Sequence, residues 1–139
     1  MRIVIGIAVV LALAGCTAPS VSPSRVAPAA VIDESASPVL VATNVYPSVF
    51  LLADVSGELT EVGGCFALGD TATVFPVGTT RTATGLDIPG VGDVALGDRI
   101  EGGGGASSFG DDPVTDALWH TCDIDPDSEV HFLNPLDDN

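Results

Sequence analysis

"SVFLLADVSGELTEVGGCFALGDTATVFPVG", Ser48 to Gly78, decides how the chain is read. Its first third is a strand pattern rich in Val, Leu and Phe. A glycine turn follows, then a second short strand in "GGCFALG". "TATVFPVG" alternates Thr with apolar residues, and Pro76 places it at a sheet edge or a bulge, because proline has no N–H to give to a ladder.

The same rhythm continues toward the C-terminus. "GLDIPG" and "GDVALGDRIEGGGGASS" come next, with Val94, Leu96 and Ile100 on one side at period two. Asp98 falls on that side too, so a turn at Gly97 and Asp98 splits the run. "SEVHFLN" is expected as the last strand. In between, "DDPVTDALWHT" predicts one short helix: Asp112 caps it, Pro113 fits its first position, and Val114, Ala117 and Leu118 share a face. Short strands punctuated by Gly, Pro and Asp imply an all-β antiparallel barrel or sandwich, with glycines supplying the sharp coiling that short strands need.

Toward the N-terminus the character changes. From Thr17 to Pro47 the chain is rich in Ala, Pro, Ser and Val, a composition that favours solvated, extended backbone, so residues 16–47 are read as a tether. "PVLVAT" within it offers a weak additional strand. The folded unit is expected over residues 48–139.

Residues 1–15 put one charge, Arg2, ahead of an apolar run from Ile3 to Ala14, too short to span a bilayer and typical of an export signal. The run closes on Leu13, Ala14, Gly15 and Cys16, which resembles a bacterial lipobox. That likeness implies cleavage before Cys16, a diacylglycerol on its sulfur, and a protein held at the membrane facing outside the cytoplasm. With Cys16 so used, Cys65 and Cys122 remain, and two cysteines in an oxidising compartment predict a disulfide.

The 139-residue chain carries a formal charge of −15, with 19 acidic and 4 basic residues. Such a balance excludes nucleic acid as a partner, because phosphate contacts need clustered Lys and Arg. Anionic head groups are repelled as well, which leaves the acyl chains to hold the membrane.

"GGCFALG", "TVFPVGTT", "GDVALGDRIEGGGG" and "EVHFLN" together resemble small secreted or lipid-anchored proteins of high-GC Gram-positive bacteria. The likeness covers Gly57 to Asn134. It implies a small OB-like β-barrel and membrane anchoring, and no activity.

Few constellations offer chemistry. "CDIDPDSEV" sets Asp123, Asp125 and Asp127 at positions 1, 3 and 5 of a calcium loop. Position 6 is then Ser128 instead of Gly and position 12 is Asn134 instead of Glu, so the preferred reading is a solvated acidic turn, with the three aspartates kept as a weak calcium candidate. His120 with Cys122 suggests a nucleophile pair, or with Cys65 a zinc site, but a disulfide removes the thiolates both need. Gly102 to Gly105 lacks the following helix and the Lys of a phosphate cradle and is read as a bulge or bend. The pairs Asp93 with Asp98 and Asp111 with Asp112 are expected by chance in so acidic a chain, and Asp98 is read as a turn residue paired with Arg99 or with backbone amides. Trp119, Phe109 and Phe132 are read as core, with an aromatic glycan-binding face as the alternative. The functional expectation is a non-enzymatic envelope lipoprotein that binds an envelope protein or glycan, with weak extracellular calcium binding as its rival.

Overall fold

In the computed structural model the described residues are 27–44, 53–108 and 112–134. The export signal and Cys16 lie outside them. Among the described residues ten strands form: β1 (Ala30–Asp33), β2 (Leu40–Thr43), β3 (Ala53–Val62), β4 (Cys65–Leu68), β5 (Thr71–Val74), β6 (Thr80–Arg81), β7 (Gly85–Ile88), β8 (Gly92–Ala95), β9 (Arg99–Ser108) and β10 (Glu129–Leu133). The helix α1 (Pro113–Thr121) precedes β10.

Strands β10, β5, β4, β3 and β9 close into a barrel in that order, the OB-like architecture that was expected. Four seams are antiparallel and one, β10 with β5, is parallel. An odd ring cannot alternate direction all the way round, so five strands impose one parallel seam on a barrel expected to be antiparallel. β9 closes the ring by serving two partners. Its early residues pair with β3 and its later ones with β10, and Gly104 faces both Ala53 and Leu133. A Cβ on Gly104 would overlap the Phe132 carbonyl oxygen and Val55 Cγ2. The run Gly102–Gly105 is therefore strand, and none of its φ angles is positive. At Gly104 what matters is the missing side chain and not the unusual backbone expected of a bulge.

Apolar alternation divides the interior in two. Val55, Leu59, Phe66, Leu68, Phe75, Ile100 and Leu133 form the first core, joined by Leu86, Ile88 and Val94 from the small sheet of β6, β7 and β8. Ala72, Val74 and Val130 point the other way, into a second core with Val41, Val114, Leu118 and both cysteines. Cys65 and Cys122 are bonded across a separation of 57 residues, with Cα atoms 5.8 Å apart. α1 begins as expected: Asp112 accepts the Val114 and Thr115 amides at 2.7 and 3.1 Å, and Thr115 completes the capping box.

The reading of residues 16–47 as a tether needs correction over its described part. β1 and β2 form a hairpin, and Leu40, Val41 and Ala42 are buried. β2 slots beside β4 and β5: Val39 donates to the Gly64 carbonyl and accepts from Phe66, while Thr43 donates to Phe75, whose amide donates to Val41. Backbone groups left open at the ends of β4 and β5, together with the apolar face of "PVLVAT", outweigh the Pro and Ser content around them.

Arg81 locks this hairpin down. Its guanidinium donates to the Asp33 and Pro38 carbonyls at 3.2 and 2.5 Å, meets the Asp33 carboxylate at 3.4 Å, and lies 5.2 Å from the Phe66 ring centre. The Asp33 carboxyl is held below the ordinary range first by hydrogen bonds from Ser35 and then by Arg81. A folded value below the unfolded one makes this contribution complete above the unfolded carboxyl range and removes it as the pH falls through the lowered value. Arg81→Met leaves two carbonyls without their charged donor, and we expect it to lower the unfolding free energy by about 2 kcal/mol in a denaturant titration. The difference from the parent protein should shrink when the titration is repeated in acid.

Candidate functional site

The acidic stretch after Cys122 is held in place from two sides. The disulfide fixes Cys122 to β4, and the Asp123 amide donates to the Gly63 carbonyl at 2.9 Å in the turn between β3 and β4. Gly63 has φ +57°, and a Cβ there would overlap the Asp123 backbone. Glycine is required twice over, by conformation and by contact. Ile124 then packs against the second core while Asp123 and Asp125 stay exposed. The alternating acids are thus the solvent side of a segment whose apolar residue is its anchor.

This segment walls a cleft of about 410 Å³, with Val62, Ala72 and Ile124 along it and four carboxylates at its margin: Asp70, Asp123, Asp125 and Glu129. Asp70 comes from the turn before β5, and Glu129 opens β10; the parallel seam between those strands brings them to the same rim. None of the four forms an ion pair among the described residues. Among the described residues no basic side chain lines the cleft. Asp125 also builds the turn that closes it, its carboxylate accepting the Asp127 amide at 2.9 Å and its carbonyl accepting the Ser128 amide at 3.0 Å. Pro126 occupies the position of such a turn that its fixed φ suits.

The calcium candidate is only partly assembled. Asp123 and Asp125 share the cleft, Asp127 is not part of its lining, and Asp70 and Glu129 join instead. Among the described residues no three His, Cys, Asp or Glu side chains are grouped so as to hold a metal ion. The disulfide takes both thiols that a zinc or nucleophile site would use. His120 is exposed, 3.5 Å from Asp116, with its ring tilted by 36° against that of Trp119 at a centroid distance of 4.8 Å. Asp98 accepts the Ala95 amide at 3.0 Å, a turn role as expected, whereas Arg99 pairs with Glu101. The aromatics are divided: Phe132 packs against the second core, Trp119 is 39% exposed on α1, and Phe109 lies outside the described residues.

Comparison with protein-family models, curated proteins and solved structures finds no match for the chain. The likeness to lipid-anchored envelope proteins rests on its sequence motifs alone.

Since Gly63 sets both the turn and the position of Asp123, Gly63→Ala should cost about 2 kcal/mol of stability. It should also shift the amide NMR signals of Asp123, Ile124 and Asp125. A stable variant with unmoved signals would show that the close approach does not shape the cleft.

Proposed function

We propose that the protein is a non-enzymatic binding module of the cell envelope, exported by residues 1–15, anchored through lipid on Cys16, and offering its acidic cleft to a cationic segment of an envelope protein. The observation that carries this reading is the cleft itself, where four carboxylates without an ion pair line one surface with Val62, Ala72 and Ile124, and no basic side chain among the described residues joins them. Such a site attracts positive charge and discriminates against anions, since every displaced neighbour would be a carboxylate. All four carboxylates are exposed. Acid–base catalysis by a carboxyl pair needs the two environments to differ, one of them buried, and this rim offers no such contrast.

A second reading keeps calcium as the ligand, because Asp123 and Asp125 line the same cleft and extracellular modules bind calcium at about millimolar affinity. One titration separates them. A Lys-rich peptide should shift the amide signals of Asp70, Thr71 and Asp123 to Glu129, and raising the ionic strength from about 0.01 to 0.15 M should weaken the effect as the screening length shortens. Calcium shifting the same signals in place of the peptide would favour the second reading, and silence toward both would remove the cleft as the site. Independently, Cys16→Ser should move the protein from the membrane fraction to the soluble one; continued attachment would contradict the lipid anchor.

A further inference from the structure

The turn between β3 and β4 is gripped from two sides. Its ladder ends at Val62 with Cys65, and the residues between them, Gly63 and Gly64, have φ +57° and +82°, a primed turn whose twist suits a hairpin. Both turn carbonyls accept an amide from outside that hairpin. Gly63 takes the Asp123 amide at 2.9 Å, from the wall of the cleft, and Gly64 takes the Val39 amide at 2.8 Å, from the residue before β2. The two donors' segments also share a core, since Val39, Val41 and Ile124 all belong to the second apolar cluster. Consecutive carbonyls and one cluster thus join the β1–β2 hairpin to the acidic segment.

We infer that this hairpin is a strap whose docking sets the shape of the cleft, so that the cleft and the N-terminal chain act on each other. The hairpin lies outside the closed ring. β2 meets the barrel through isolated bridges, Val39 with Cys65 and Ala42 with Phe75, instead of a ladder. An element attached in that way opens locally at a smaller free-energy cost than the strands of the ring. Two clasps hold it down. Arg81 grips the Asp33 and Pro38 carbonyls at one end, next to Val39. At the other end the Asn44 side chain accepts the Ala29 amide at 2.9 Å and donates to the Ala27 carbonyl at 3.3 Å. The chain from Cys16 arrives at Ala27, so a pull on the anchor meets the Asn44 clasp and β1 before it meets the barrel.

Lifting the strap takes Val39 away from Gly64 and Phe66 and strips Val41 from the second core. The disulfide still holds Cys122 to Cys65. What loosens is the part beyond it: the Asp123 bond to Gly63, the seat of Ile124, and with them the cleft wall. Coupling between sites is reciprocal, so a ligand that braces Asp123 to Glu129 closes the strap by the same factor by which the closed strap favours the ligand. That last step rests on the binding reading, whereas the link between strap and wall does not.

The test is hydrogen exchange of the full chain carrying Arg81→Met or Asn44→Ala, each of which removes one clasp; neither residue lines the cleft. Exchange of the Val39 and Thr43 amides should quicken. Asp123 and Ile124 should quicken with them by at least about fivefold, the low end of ordinary coupling between sites, and ahead of β3 and β9. Ile100→Val, a first-core variant that leaves both clasps alone, should give no such selective rise. Strap amides that quicken while Asp123 and Ile124 keep their parent rates would overturn the inference, and so would a hairpin that opens only together with β3 and β9. Adding the Lys-rich peptide to the parent protein separates this inference from the binding reading. A peptide that shifts the Asp70 and Asp123 signals should slow exchange at Val39 and Thr43, and binding without that slowing contradicts the coupling. A peptide that shifts nothing removes the binding reading, and the exchange of the variants alone then decides the strap.

Discussion

The Cys65–Cys122 bridge lies in the second core, and that placement organises everything outside the barrel. Barrel closure buries the inner faces of β3, β4, β5, β9 and β10, but leaves Ala72, Val74 and Val130 on their outer faces. Those residues are covered by α1 and by the β1–β2 hairpin. A covalent link from β4 to the end of α1 removes much of the chain entropy that opposes this arrangement, on the entropic account of disulfides. It also fixes where the chain leaves the helix, so Asp123 meets Gly63 and the acidic segment becomes a wall.

Charge is distributed in keeping with this design. With 19 acids and 4 basic residues, the protein has few cations to spend, and Arg81 is spent internally on carbonyls and the Phe66 ring. Arg99 pairs with its near neighbour Glu101 on the surface, an interaction worth little in stability. The carboxylates of the cleft consequently face solvent with no ion-pair partner among the described residues. The apolar cores and the disulfide hold the fold together against that self-repulsion, and the surface remains available to positive charge.

What was legible in the sequence was local. The split of "GDVALGDRI" into β8 and β9 follows from Gly97 and Asp98, and α1 from Asp112, Pro113 and their spacing to Val114 and Leu118. Pairing of Cys65 with Cys122 follows from arithmetic once Cys16 is set aside. What was not legible depends on segments that meet only after folding. "PVLVAT" is buried because β4 and β5 leave backbone groups open beside it, a condition invisible in the Pro-rich stretch around it. Gly104 is glycine because Val55 and Phe132 converge on it from two different strands. Asp70 and Glu129, far apart in the chain, join the cleft through a parallel seam that no local pattern announces. The three aspartates after Cys122 stand out by their spacing, but it is Ile124, packed against the second core, that turns Asp123 and Asp125 on either side of it toward solvent.

The central claim is that the disulfide holds the outer layer to the barrel. Its most direct test is equilibrium unfolding of the double variant Cys65→Ala, Cys122→Ala, joined to hydrogen exchange of the native state. The predicted result is a loss of about 4 kcal/mol, expected for a closed loop of this length, with the amides of α1 and of Asp123 losing protection before those of β3 and β9. A variant as stable as its parent, or one in which the barrel strands lose protection together with the helix, would contradict it.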